Sequence, residues 1–219
     1  MKRTEEDEKY VEHAQPTRIP SWLWNIMLRC TTDNLGEKGT HTLLRRAGLE
    51  DYIGITPSYD DTPAITSLEY ARFKEALFDI FGEEGARPIL LRCGRLGYQC
   101  VLENFPPSIK IAQRILIILP EWKKLVKAVT EFLHTYDKAM GTTSHVIESE
   151  GKVMVEIQNS TSQGLHFEKP VCYVESELIL SVINTFVGPG FTVNETLCMG
   201  KGDPICQFEI TKEKKNSIY

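Results

Sequence analysis

The chain has 219 residues, of which 42% are hydrophobic and 25% charged, and its formal net charge is −5. That is the composition of an ordinary globular chain, and it supplies no basic field for a polyphosphate partner, so direct nucleic-acid binding is not expected. No run of 18 apolar residues occurs, and Met1-Lys2-Arg3 leads into Glu5-Glu6-Asp7-Glu8, which argues against a membrane span and a secretory leader. Six cysteines in such a chain read as reduced thiols and metal ligands, and the expected compartment is cytoplasmic.

In chain order, residues 1–15 are polar and read as a flexible tail, with a single domain expected over 16–219. Ser21 is placed to cap a helix carrying Trp22, Leu23, Trp24, Met27 and Leu28, a bulky set that either enters the core or forms a subunit interface. Gly36 and Gly39 punctuate the chain before a short helix over 42–47, and 54–65 reads as a loop. Thr66-Ser67-Leu68-Glu69 is a capping box that starts a helix through Tyr70, Phe73, Leu77 and Phe81 to Gly82. A further helix is predicted after Pro88, with Cys93, Gly97 and Cys100 on about one face, a set of small residues suited to close helix packing. Residues 109–119 are apolar on most sides, as in a largely buried helix.

From Pro120 the helical pattern is clearest. Trp122, Leu125, Val126, Val129, Phe132, Leu133 and Tyr136 form one apolar stripe, suited to core packing or to lining a cavity. After Gly141 the period changes. Alternation on either side of Glu150-Gly151 predicts a hairpin, a helix follows over 174–187, and strands follow over 191–197 and 205–211. The fold class is therefore α+β: a helical half over about 20–141, then β-β-α-β-β over about 142–211 with an antiparallel sheet.

Within that second half, Cys172, Glu195, Cys198 and Cys206 form the most specific pattern. Three thiolates and a carboxylate can complete a tetrahedral shell around a borderline-soft ion such as Zn²⁺. The turn Met199-Gly200-Lys201-Gly202-Asp203-Pro204-Ile205 can fold back and aim Cys198 and Cys206 at one point. Glu195 and Cys198 lie three apart and would face opposite sides of a regular strand, so the site requires a bulge or a strand end near Leu197. Buried cysteines also serve as small hydrophobes, and reduced core thiols are the competing reading. Lys169, His166 or Lys201 could offset the charge of a loaded shell.

This pattern, together with the segment GTHTLLRRAGLEDYI, resembles the 4-vinyl reductase domain family, related to the sensor domains of phenol- and xylene-responsive activators and to small core subunits of the TRAPP vesicle-tethering complex. The resemblance extends over roughly 20–211. It implies a structural zinc held by Cys172, Glu195, Cys198 and Cys206, a ligand-binding α/β fold, and a homodimer. It further implies a small hydrophobic or aromatic ligand held in an internal cavity. The expected lining is Ile115, Ile118, Trp122, Val126 and Tyr136, with His145 or Tyr136 as the polar contact. Relatives that sense phenol use a His and a Trp for the hydroxyl. Counting back from Cys172 leads to the neighbourhoods of Lys123 and Gly151, which leaves phenol itself in doubt.

Catalysis has little support in the residues: no G-x-G-x-x-G follows a strand, and neither a P-loop nor a G-x-S-x-G nucleophile is present. The expectation is a binding and regulatory protein without chemistry of its own. Because the sequence ends at Tyr219, its output would pass through a downstream protein partner. The alternatives are an accessory or carrier protein of tetrapyrrole (bacteriochlorophyll) metabolism, a 4-vinyl reductase-type enzyme, and a scaffold subunit.

Overall fold

The computed structural model describes residues 18–104, 116 and 118–213. The expected tail, Ile115 and most of the apolar stretch over 109–119 lie outside them. The chain opens with β1 (Arg18–Pro20) and α1 (Ser21–Arg46), then β2 (Pro63–Thr66) and α2 (Ser67–Asn104). The second part runs α3 (Glu121–Met140), β3 (Thr143–Ser149), β4 (Lys152–Gln158), α4 (Tyr173–Phe186), β5 (Phe191–Leu197) and β6 (Cys206–Lys212). A helical half thus precedes β-β-α-β-β, and the four-stranded sheet is antiparallel in the order β3-β4-β6-β5.

Local chemistry explains most boundaries. At the start of α2, the Thr66 N–H donates to Glu69 Oε2 at 2.8 Å and the Glu69 N–H donates to Thr66 Oγ1 at 3.2 Å, closing the capping box. Gly141, in the left-handed region at φ 66°, ends α3. Ser149 pairs with Lys152 across the two-residue turn that carries Gly151 at φ 73°. Three details depart from the sequence reading. Pro20, not Ser21, is the residue before α1, and the Ser21 hydroxyl instead accepts a hydrogen bond from Ser58. Part of the expected loop over 54–65 is strand, because β2 finds β1 as an antiparallel partner. The helix after Gly82 resumes at once, with Pro88 inside it, since the positive φ of Gly82 has already redirected the chain.

Two apolar clusters stack on either side of α3 and α4. The helical cluster holds Trp24, Met27, Leu43, Phe73, Leu77 and Leu90, and the sheet cluster holds Val153, Val155, Ile157, Phe208 and Ile210. The α3 stripe divides between them: Leu125, Val129 and Leu133 face the sheet, while Ala128, Phe132 and Tyr136 pack against the helices. Helix α4 divides likewise, with Val174, Leu178 and Val182 on one side and Ile179 and Ile183 on the other. The bulky set on α1 is core. Trp24 is fully buried, with Phe73 and Tyr52 edge-on at 4.9 and 5.4 Å, so these residues offer little surface to a second copy. Among the described residues, no helix is long and apolar enough to cross a membrane.

The small residues on α2 serve close packing against α4. A Cβ at Gly94 would sit 2.7 Å from the Val174 carbonyl oxygen and 2.9 Å from Glu177 Cβ, whereas one at Gly97 would meet Leu178 at 3.7 Å. Gly94→Ala should therefore destabilise the chain by about 1–3 kcal/mol despite the ~1 kcal/mol that alanine gains in helix propensity. Gly97→Ala should be neutral or stabilising. Urea denaturation of both variants distinguishes the two positions, and equal effects would contradict this packing.

Candidate metal centre

Four separate pieces of chain bring the Cys/Glu set together. Cys172 immediately precedes α4, Glu195 lies on β5, Cys198 follows the end of β5, and Cys206 opens β6. The register of β5 against β6 shifts between Glu195 and Leu197, so the bulge that the three-residue spacing demands is present. The turn beyond Cys198 is tied by its own backbone. The Asp203 N–H donates to the Cys198 carbonyl at 3.1 Å, the Cys198 N–H donates to Asp203 Oδ2 at 2.8 Å, and Gly202 takes φ 100°. Gly200 lets this turn approach the loop after β4, since a Cβ there would meet Val171 at 3.2 Å and Ser162 at 3.3 Å.

The four ligand atoms lie within 4.8 Å of one another. Cys172 Sγ is 3.8 Å from Cys198 Sγ and 3.5 Å from Cys206 Sγ, and all three cysteines are free and fully buried. A tetrahedral shell with metal–sulfur bonds of about 2.3 Å places sulfurs ~3.8 Å apart, so the spacing suits a single ion. The Met199 N–H donates to Cys206 Sγ at 3.3 Å, and the Cys172 N–H donates to Glu195 Oε2 at 2.8 Å. Glu195 Oε1 is buried without a hydrogen-bond partner. A carboxylate oxygen orphaned beside three thiols lacks a cation or a donor, and this set of residues can hold a metal ion.

The electrostatics agree. Burial, reinforced by the Cys198 charge, raises the Glu195 carboxyl to about 8. Hydrogen bonding with Cys198 and then with Cys206 pushes the Cys172 thiol well up. Hydrogen bonds from Cys172 and Cys198 draw the Cys206 thiol down, so one sulfur is favoured as the thiolate. Three like-charged sulfurs cannot ionise together at this separation without a cation among them.

Behind the thiols lies a buried polar chain that sequence reasoning did not anticipate. Lys74, only 1% exposed, donates to Thr161 Oγ1 at 3.0 Å and to Ser162 Oγ at 2.9 Å. Ser162 Oγ is 3.2 Å from Cys172 Sγ. Thr161 donates to Glu175 Oε1 at 3.0 Å, and the Tyr136 hydroxyl reaches the same oxygen at 3.4 Å. Burial and the Glu175 charge hold the Tyr136 phenol protonated, which suits it to donate. A signal for two members was present: Lys74 sits on the apolar face of Tyr70, Phe73 and Leu77, and Glu175 on that of Leu178, Ile179 and Val182. The cations expected near the metal are placed otherwise. His166 is exposed, Lys169 pairs with Glu83 at 3.0 Å, and Lys201 pairs with Asp203 at 3.3 Å.

The expected ligand contacts do not converge. Ile118 is 82% exposed, His145 is exposed on β3 opposite Glu156, and Ile115 lies outside the described residues. Trp122 and Val126 pack against the sheet cluster. Tyr136 lines a slot shared with Phe132, Leu133, Ile157, Glu175, Leu178 and Ile179. The slot holds about 160 Å³ of space, below the ~300 Å³ at which ligand pockets begin, so this part of the interior is closely packed. Glu175 Oε2 is buried there without a partner.

Residues 154–212, which contain all four Cys/Glu ligands, match the 4-vinyl reductase domain family. This stretch is a 4-vinyl reductase domain. It accounts for β4 to β6 and leaves the helical half outside the match. Among curated proteins, the chain is 29% identical over 65 residues to an uncharacterised protein of Methanocaldococcus jannaschii, covering 29% of this chain and 36% of that one. It is 28% identical over 138 residues to the Bacteriochlorophyll synthase 23 kDa chain of Cereibacter sphaeroides, covering 61% of this chain and 64% of the relative. The matches thus span less than two thirds of both relatives. Among solved structures, an Fe(II) unliganded H-NOX protein mutant from K. algicida superposes with a TM-score of 0.63 at 12% identity, over 92% of this chain and 100% of the other. That likeness is one of fold, and it takes in the helical half as well as the 4-vinyl reductase domain.

The polar chain yields a stability prediction. Thr161→Val leaves both Lys74 and Glu175 one partner short in the interior and should cost about 1–3 kcal/mol in urea denaturation. Removing the exposed Lys127–Glu131 pair should cost no more than ~0.5 kcal/mol. Similar losses for the two would contradict the buried network.

Proposed function

We propose that this chain is a small-molecule-binding regulatory protein whose 4-vinyl reductase domain is braced by a structural zinc ion. The convergence of three buried thiols and the orphaned Glu195 oxygen carries the metal part of this reading. Soft sulfur donors favour zinc over magnesium or calcium, and a shell closed by Cys172, Glu195, Cys198 and Cys206 leaves no position for a substrate. The ion's role would be to tie the start of α4 to the β5–β6 turn. Support for ligand binding comes from the slot between α3, α4 and β4, where Glu175 Oε2 lacks a donor beside the hydroxyl of Tyr136. The ligand that suits it is a small, mainly apolar molecule with one hydrogen-bond donor, entering as α3 and α4 move apart. The similarity to a bacteriochlorophyll synthase chain favours a second reading, an accessory or carrier protein of that pathway.

Elemental analysis of the purified chain should find one zinc per polypeptide, and Cys198→Ser should lower stability by at least ~3 kcal/mol. A metal-free chain as stable as Cys198→Ser would overturn the zinc assignment. Glu195, held up at about 8, and Cys172, also held up, must each lose a proton to bind a cation. Zinc retention against a chelator should therefore strengthen as pH rises from about 6 to 8, and a flat profile would exclude these residues as ligands. For the ligand, small aromatic alcohols and amines should raise the melting temperature where matched hydrocarbons do not, and Glu175→Gln should remove the difference. Coloured pigment copurifying with the chain would favour the carrier reading instead.

A further inference from the structure

We propose that Lys74 is the counter-cation of the metal centre and acts on Cys172 through the Ser162 hydroxyl; the inference rests on the zinc reading above. Lys74 belongs to α2, in the helical half, yet its ammonium ends among residues of the 4-vinyl reductase domain. None of the ion pairs among the described residues includes it. An ammonium 1% exposed with no anion in direct contact carries a desolvation cost of several kcal/mol, which something in the interior must offset. The face of Tyr70, 5.3 Å from Nζ, supplies part of that offset.

Hydrogen-bond polarity identifies the rest. Nζ can only donate, so Thr161 Oγ1 and Ser162 Oγ both accept from it. Each hydroxyl then has a single hydrogen to pass on. Thr161 passes its hydrogen to Glu175 Oε1, and Ser162 has Cys172 Sγ at 3.2 Å. The ammonium is therefore aimed, through one hydroxyl each, at a carboxylate and at a metal-ligating sulfur. A shell of three thiolates and one carboxylate around a divalent ion carries a formal charge of −2, buried where all three sulfurs are closed to water. Lys169 and Lys201, the other cations considered, are engaged by Glu83 and Asp203. Lys74 is thus the interior cation with a hydrogen-bonded path to a ligand atom. Through that path it withdraws charge from Cys172 Sγ, which makes the sulfur a poorer target for protons and competing electrophiles and slows loss of the ion. Lys74 is accordingly a positioning residue, acting through Ser162.

The test uses the full chain reconstituted with Co²⁺, whose thiolate-to-metal charge-transfer band reports the charge on the sulfurs. Lys74→Met and Ser162→Ala should each release cobalt to a chelator at least ~10-fold faster than the parent and move the band to lower energy. Lys74→Arg should restore part of the retention. A structural role alone would lower the melting temperature and leave the band and the release rate of the folded fraction unchanged. If Lys74→Met does not fold, Ser162→Ala decides, because it removes the relay and keeps the cation. A parent chain that binds cobalt while Ser162→Ala matches it in band and release overturns the Lys74 assignment alone. A parent chain that takes up no cobalt overturns the metal reading and this inference with it.

Discussion

The convergence of Cys172, Cys198 and Cys206 in a water-free interior is the constraint from which the rest of the structure follows. Sulfurs 3.5 and 3.8 Å apart, with an orphaned carboxylate oxygen beside them, are an arrangement that repels itself as soon as more than one group ionises. To build it, the chain must shift register between Glu195 and Leu197, fold a glycine-containing turn over the loop after β4, and start α4 at Cys172. Each of those features would be a local cost without a cation to gather the ligands. Because α4 begins at this point, the same site sets where the helix lies between the sheet and the helical half.

Helix α4 is the hinge of the packing. One face closes on the sheet through Ile179 and Ile183, and the other on α2 through Val174, Leu178 and Val182. The approach to α2 is close enough that Gly94 leaves no room for a Cβ, which fixes the depth of the contact. Arg95 reaches Glu177 at 2.9 Å from the same interface, with Glu177 largely buried and Arg95 partly in solvent. A change at the metal centre therefore has a short rigid path, through the start of α4, to helices that the family match does not cover.

Beside that rigid path runs a softer one. Tyr136, Glu175, Thr161, Lys74, Ser162 and Cys172 form a continuous line of hydrogen bonds from the slot under α3 to the thiols. Buried polar chains of this kind are stabilising when every member is satisfied, and they concentrate cost where one is not. Here the unsatisfied member is Glu175 Oε2, at the end of the chain away from the metal. A donor arriving there would complete the line, which connects the proposed ligand slot to the proposed ion without a large movement of backbone.

Sequence by itself determined the elements whose physics is local. The capping box at Thr66 and Glu69, the α3 stripe and the Glu150-Gly151 hairpin follow from side-chain spacing and backbone preference within a few residues, and the structure places them as read. The Cys/Glu pattern was legible for a similar reason, since few interiors call for three thiols and a carboxylate in that spacing, and even its bulge was required by the three-residue step to Cys198. Tertiary structure decided what depends on partners far along the chain. Whether Trp24 met core or solvent rested on Phe73 and Tyr52, and the β1–β2 pair exists because 18–20 meets 63–66. The exposure of Ile118 and His145, against the lining role expected of them, depended in the same way on which faces other elements cover. Lys74 is separated from Thr161 and Ser162 by 87 and 88 positions, and periodicity along one helix carries no information about hydroxyls on a distant loop. A lysine on an apolar stripe marks a cation that burial would penalise, but only the folded chain supplies the hydroxyls and the sulfur that make its burial tolerable.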